Sequence, residues 1–302
     1  MGGDAAEGTR SSDPPGDPAA RPGLVLVATP IGNLADLSPR ALAALKEADA
    51  VLCEDSRVTG GLLARQGVAA TMIPLHDHNE AAQAPRLVER MKGGDRFALV
   101  SDAGTPLVSD PGYRLVRAAI AAGHRVTAVP GPSAALAALA VSGLPPAPFL
   151  FLGFLPPKAG ARRARIGELA RLEAAGLAAT LVLFEAPQRL GALLADLAAG
   201  LGEARPAAVA RELTKLFEEV ARDSLGALAV RYASETPRGE IVVVVGPAGG
   251  PVAADDASVQ RLLDAALARG LGVRDAAAEV AAATGRPRRE VYARALRASG
   301  RE

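Results

Sequence analysis

Three short stretches combine small, acidic and hydroxyl-bearing residues directly after apolar runs. The first is Ala28-Thr29-Pro30-Ile31-Gly32-Asn33-Leu34. The second is Ser101-Asp102-Ala103-Gly104-Thr105-Pro106, with Ser109-Asp110-Pro111-Gly112-Tyr113 behind it, and the third is Val129-Pro130-Gly131-Pro132-Ser133-Ala134. Glycines at such places let a backbone lie close against a bound molecule, while Asp102, Thr105 and Ser133 offer polar contacts without bulk. Turn chemistry accounts for any one stretch taken alone; three of them at the ends of strands point to a ligand site. The first stretch has one glycine and a proline where a dinucleotide-binding turn carries three glycines, and Asp36 stands too early for a ribose contact. A phosphate-cradling loop with its lysine and hydroxyl residue is absent too, which argues against nucleoside triphosphate chemistry.

Groups that could move a proton gather nearby in the sequence. Glu54 and Asp55 follow an apolar run, and adjacent carboxylates raise each other's proton affinity when both face one space. Side chains alternate along a strand, so one of the pair at most faces a given space, and a helix cap or an ion pair with Arg57 is the plainer use. Asp102, Glu212, His76, His78 and Lys215 are further candidates. His76 and His78 have no third ligand in view and fit a polar loop, so no metal site is expected. Lys215 needs a depressed pKa to act as a base but none to contact a phosphate; an ion pair with Glu212 or Glu218 is the alternative. Cys53 reads as a buried apolar filler.

These residues have to be held by alternating strands and helices. Short apolar runs at 23–28, 50–53, 96–101 and 125–129 alternate with helical patterns at 39–47, 60–65, 81–91 and 112–122, the mark of an α/β fold. Gly123 stands where a left-handed cap would stop the last helix. A Pro-rich stretch at 144–148 reads as a hinge. Beyond it come strand patterns at 149–154, 179–184, 207–212 and 241–245, with helices near 161–175, 189–197 and 224–234. The glycine-rich break 246–250 precedes a stretch of helix pattern only. The expected organisation is a tail at 1–22 expected to be disordered, an N-terminal α/β domain at 23–146, a second α/β domain at 149–248 and a helical extension at 252–302.

Composition sets the outer limits. A chain of 302 residues buries roughly 75% of its extended surface without staples. Lysine plus arginine number 34 against 33 acidic residues, a net charge of +1, so any surface for a polyanion is local. Every apolar run is too short to span a bilayer, so no membrane association is expected. The one cysteine forms no internal disulfide and suits a reducing cytoplasm.

In this order the motifs resemble those of the tetrapyrrole-methylase-like methyltransferases, and within them the branch that acts on small-subunit ribosomal RNA. The matching stretches are ATPIGNL (28–34), EDSRVT (54–59), LHDHNE (75–80), VSDAGTP (100–106), DPGY (110–113), PGPS (130–133), GFLPP (153–157) and RELTK (211–215), covering roughly 24–247. The chain has Ser56 where the family often has threonine, which keeps the hydroxyl. The resemblance implies two α/β domains with a cleft between them that takes S-adenosyl-L-methionine, and a homodimer. It implies methyl transfer to the ribose 2′-hydroxyl of cytidine 1402 in 16S ribosomal RNA of the small ribosomal subunit. It also implies Pro30, Gly32, Ser101, Asp102, Gly104, Thr105, Pro106, Ser133, Phe184, Glu185 and Leu213 as donor-binding residues, with Glu54, Asp55 and Lys215 as catalytic candidates. A sulfonium loses its charge as the methyl moves, so a dry, tightly positioned site helps. A ribose hydroxyl is weakly acidic, so transfer benefits from a group that accepts its proton.

RNA contact on a near-neutral protein requires local basic clusters. Lys158, Arg162, Arg163 and Arg165 follow the GFLPP turn, although a solvated helix face fits them as well. Residues 286–301 hold six arginines against one acidic residue, Glu290. The pattern 273–284, Gly285, 287–296 reads as helix, turn, helix, suited to RNA docking, a dimer contact or an ordinary charged pair. Arg57, Lys158, Arg162, Arg163, Arg211, Arg288 and Arg289 are the expected RNA contacts. Aromatic residues are 3% of the chain and are not interleaved with these charges, so a stacking platform is not expected. A tetrapyrrole methyltransferase and a non-catalytic RNA-binding assembly factor remain as alternatives.

Overall fold

The computed structural model describes residues 23–249, 256–284, 286 and 288–298. The expected tail at 1–22 lies outside the described residues, as does Gly250 of the break expected at 246–250. Two compact units divide the chain, Met1–Ser133 and Ala134–Glu302.

The first unit is a five-stranded sheet made of β1 (Leu24–Val27), β2 (Ala50–Cys53), β3 (Met72–Pro74), β4 (Phe97–Val100) and β5 (Val126–Val129). Their order is β3-β2-β4-β1-β5, and all neighbours run parallel. The connecting helices are α1 (Pro39–Glu47), α2 (Ser56–Arg65), α3 (Glu80–Lys92) and α4 (Tyr113–Ala121). Strands buried on both faces must be apolar throughout, which is why β2 and β4 read as uninterrupted apolar runs. Alternation then divides them. Ala50, Leu52, Phe97 and Leu99 pack under α3 and α4, while Val51, Cys53, Ala98 and Val100 pack under α1 and α2. Right-handed crossovers explain the division: β1 to β2 to β3 steps one way across the sheet, and β3 to β4 to β5 steps back. The loop leaving β4 therefore heads for one face, and the loops leaving β1 and β2 on either side of it head for the other. That reversal opens a crevice at the carboxyl edge.

The second unit has a mixed sheet. Strands β6 (Phe149–Phe154), β7 (Thr180–Glu185), β8 (Pro206–Arg211), β9 (Glu219–Ser224) and β10 (Ile241–Val245) lie in the order β6-β7-β10-β8-β9. Only β6 and β7 pair parallel; β10 is antiparallel to both its neighbours, and β8 and β9 form a hairpin. Helices α6 (Ala159–Ala174), α7 (Leu190–Leu201) and α8 (Leu225–Ser234) contribute to its main core. Helix α5 (Ala134–Ser142) packs against β10, β8 and β7 of this sheet. The division accordingly falls at Ser133 and Ala134, earlier than the hinge expected at 144–148. Helices α9 (Asp256–Ala268), α10 (Val273–Thr284) and α11 (Arg288–Ala298) form a small core of their own around Leu263, Ala277, Val280 and Val291. No helix among the described residues is long and apolar enough to cross a membrane.

Two strands escape the sequence patterns. β3 is three residues long and ends in proline, and β9 reads Glu-Val-Ala-Arg-Asp-Ser because it lies at the sheet edge, where charged side chains guard unpaired backbone. Gly123 does adopt a positive φ, of 80°, just past α4. The start of α4 is capped from elsewhere. Its N-cap residue is Gly112, without a side chain, and the buried Glu80 of α3 accepts from the Leu115 amide at 3.0 Å instead. Glu80→Ala leaves that amide unpaired and should cost about 2 kcal/mol, whereas Glu80→Gln keeps the acceptor and loses less; urea unfolding curves of the two variants check this.

Candidate active site

The three stretches singled out in the first unit meet at the carboxyl edge of its sheet. Thr29 and Gly104 exchange backbone hydrogen bonds, Thr29 N to Gly104 O at 2.8 Å and Gly104 N to Thr29 O at 3.1 Å, which ties the β1 loop to the β4 loop. The Thr29 hydroxyl adds a bond to Ser101 O at 3.0 Å. The Thr105 hydroxyl donates to Pro132 O at 3.1 Å and ties in the β5 loop. The β2 loop joins through the Asp55 amide, which donates to the Asp102 carboxylate at 3.2 Å.

Two glycines make this closeness possible. Gly104 has φ 85°, and a Cβ there would sit 3.2 Å from Ile31 Cγ2; a Cβ on Gly131 would sit 3.0 Å from the Ala28 Cβ. Gly104, Thr105 and Ser101 therefore shape the loops. The Ser101 hydroxyl is engaged within its own turn, donating to Ala103 O at 2.8 Å and accepting from the Ala103 amide at 3.1 Å. Pro106 is buried, Pro30 and Ser133 are half-buried, and Gly32 is exposed.

The electrostatics of this edge are one-sided. Burial raises the Asp102 carboxyl above its ordinary value; the Asp55 amide opposes this and the Asp55 charge adds to it. Burial raises Asp110 as well, opposed by a hydrogen bond to Ser101 and reinforced by Asp102. Glu54 is raised by burial and then by Asp102, Asp110 and Asp77, with His76 opposing. Three carboxylates thus hold their protons more tightly than usual at one sheet edge, a concentration typical of functional sites. In the sequence Asp110 stands within the DPGY match, but its residue type and spacing alone give it no role. His76 and His78 lie edge to face with ring centroids 6.0 Å apart.

Asp55 has a different fate. It is the N-cap of α2, accepting from the Arg57 amide at 2.8 Å, and it pairs with the Arg57 guanidinium at 2.6 Å. Hydrogen bonds from Arg57 hold its carboxyl down at about 2, so it is a poor proton acceptor and the capping reading prevails.

In the second unit, Phe184 lies edge to face with Phe151 and Phe154 at the end of β7, at centroid distances of 5.0 and 5.7 Å. Next to it, Glu185 has a fully buried side chain. One carboxylate oxygen accepts from the Ala186 amide at 2.8 Å and faces Arg189 Nε at 3.1 Å, while the other, Oε2, has no partner among the described residues. Burial raises its pKa, against the Ala186 amide and the charges of Arg189 and Arg162. Leu213 is buried in the loop between β8 and β9.

The second unit corrects three expectations, the first in that same loop. Lys215 Nζ bonds Glu212 at 2.8 Å and Glu240 at 2.9 Å. Burial would lower its pKa, but these two carboxylates outweigh burial and raise it, so Lys215 is a fixed cation and no base. Arg211 pairs with Glu219, its register partner across the hairpin, at 2.9 Å. Arg162 is buried and pairs with Asp196 of α7 at 2.7 Å, which removes it from any RNA surface. Lys158 and Arg163 are exposed, as are Arg288 and Arg289 at the start of α11.

Comparison with known proteins fits this geometry. The family model for tetrapyrrole (corrin/porphyrin) methylases matches residues 23–229. The chain belongs to the tetrapyrrole methylase family. A second model, described as the RsmI C-terminal HTH domain, matches residues 253–299. Among curated relatives of this methylase, the ribosomal RNA small subunit methyltransferase I of Mesorhizobium japonicum is 51% identical over 91% of this chain and 92% of its own. The protein of that name in Pseudomonas aeruginosa is 43% identical over 92% and 98%. Among solved structures, diphthine synthase shares the fold with a TM-score of 0.56 at 19% identity, covering 74% of this chain and 90% of its own. The uroporphyrin-III C-methyltransferase of Thermus thermophilus gives 0.51 at 24% identity, covering 75% and 94%. The expected fold class, two α/β sheets with a helical region after them, holds for this methylase.

The raised carboxylates carry a test. An ionised Asp102 that is disfavoured in the folded state subtracts from stability at pH 7, and the subtraction fades as pH falls through its raised pKa toward the unfolded value of about 4. Asp102→Asn, which can still accept from the Asp55 amide, should therefore unfold at a temperature equal to or above wild type at pH 7, with the gap closing in acid, while ligand affinity falls. Calorimetric melts from pH 4 to 8 check this.

Proposed function

We propose that this chain transfers a methyl group from S-adenosyl-L-methionine to the 2′-hydroxyl of cytidine 1402 in 16S ribosomal RNA of the small subunit. The observation that carries the reading is the four-loop carboxyl edge of the first sheet, narrowed by Gly104 and Gly131 and carrying the raised carboxylates Glu54, Asp102 and Asp110. A cationic ligand lowers the charge cost of such an edge, and its glycines leave backbone open to close approach. The relatives named above supply the substrate class.

When bound, S-adenosyl-L-methionine supplies an electrophilic methyl on a sulfonium. Pro30, Gly32, Asp102, Gly104, Pro106 and Ser133 would hold it, with Ser101 and Thr105 keeping their loops in shape. In the second unit, Phe184, Glu185 and Leu213 are the residues the resemblance implies for the donor, and Glu185 Oε2, without a partner among the described residues, suits a hydroxyl or ammonium donor. Glu54 accepts the proton of the ribose hydroxyl. Of the three residues Glu54, Asp55 and Lys215 that the resemblance implies as catalytic, it alone is neither spent as a cap, as Asp55 is, nor held as a cation, as Lys215 is. A raised pKa makes it a stronger base than an ordinary carboxylate. Lys158 and Arg163 are proposed to meet RNA phosphates near α6.

Small subunits lacking the modification, incubated with labelled S-adenosyl-L-methionine and this protein, should gain one methyl group. Nuclease resistance of the bond should place it at position 1402. Glu54→Gln should slow transfer by roughly a hundredfold with donor affinity kept. The wild-type rate should fall as pH drops through a pKa above the ordinary 4.5 of a glutamate. Transfer to a corrinoid, or to no substrate, would reject the reading.

A further inference from the structure

The C-terminal helices divide their arginines into two kinds. Arg269 pairs with Glu279, and Arg286 and Arg294 both pair with Asp256 and Glu290. These cations tie the three helices together. Arg274, Arg288 and Arg289 are exposed and have no acidic partner among the described residues. Yet they are gathered at one place, where with Tyr292 they line an open depression of about 500 Å³.

Three guanidinium groups around one concavity repel one another unless an anion lies between them. Arg274 is the second residue of α10, and Arg288 and Arg289 are the first two of α11. Two helix starts, with their unpaired amides and positive dipole ends, therefore add to the same field. Tyr292 lies one turn along α11 from Arg288 and Arg289 and is 41% exposed. A guanidinium cluster recognises phosphate, and an aromatic face beside it takes an unpaired base. The depression opens to solvent, which suits a polymer passing across it.

We infer that Arg274, Arg288, Arg289 and Tyr292 form a clamp for unpaired ribosomal RNA, the arginines holding successive phosphates while one base stacks on Tyr292. The inference rests on the ribosomal RNA reading and adds where on the chain the substrate is gripped. It also revises the expectation from composition that no aromatic joins the basic clusters.

The test measures binding of the full-length protein to unmodified small subunits across a salt series, with donor affinity measured alongside by calorimetry. Replacing Arg274, Arg288 and Arg289 together by alanine should weaken binding at least tenfold and reduce the slope of log affinity against log salt by roughly 2. Donor affinity and the melting temperature should stay at wild-type values. Tyr292→Phe should keep the affinity and Tyr292→Ala should lose about tenfold. Replacement of Arg288 and Arg289 by lysine should restore most of the salt slope. A triple variant with wild-type affinity and slope, on a protein that methylates small subunits, overturns the clamp alone. A wild-type protein that neither binds nor methylates small subunits overturns the clamp and the underlying function together.

Discussion

Two backbone hydrogen bonds between Thr29 and Gly104 hold the candidate site together. Parallel strands end at one edge, but their loops leave toward opposite faces, and nothing in a parallel sheet by itself joins them again. The Thr29 and Gly104 pair makes that join at the point of divergence, directly beyond β1 and β4. It requires a positive φ at residue 104 and no side chain facing Ile31, both of which glycine supplies. The Thr105 and Asp102 contacts then secure the neighbouring loops to the same frame.

The frame also sets the electrostatics. Drawing the loops together sets the half-buried Asp102 and Asp110 and the more exposed Glu54 within reach of one another's charge, and each resists ionisation. Asp55 is one residue from Glu54 and escapes, because it starts α2 and has Arg57 beside it. The strand end sets two adjacent carboxylates to different tasks, one anchoring a helix and one available for chemistry. The opposite holds around Lys215, where Glu212 and Glu240 fix a charge that a catalytic lysine would need to shed.

Much of this was legible in the residues. Parallel strands inside a sheet announce themselves as short apolar runs, so β1, β2 and β4 stood out along with the loops that follow them, and the edge strand β5 did so through its two valines. β3 and β9 did not, the first for being three residues long and the second because an edge strand carries charge. Helix α5 reads Ala-Ala-Leu-Ala-Ala-Leu-Ala-Val-Ser, apolar on every side, and a segment with no polar face does not disclose which sheet it covers. The basic residues were the least legible. Arg162 differs from its exposed neighbour Arg163 only through Asp196, which the fold brings in from another helix. Arg211 meets its partner only once the β8 and β9 hairpin has formed. Glu185 was visible by resemblance, but its unpartnered buried oxygen appears only in three dimensions.

The central claim is spatial: the joined loops at the carboxyl edge of the first sheet are where the methyl donor rests. A crystal structure with S-adenosyl-L-homocysteine tests it most directly. The account predicts density for that product against residues 28–32, 102–106 and 131–133, with Thr29 and Gly104 still paired. Density at any other place on the chain, or loops 28–34 and 101–106 parted in the complex, would contradict it.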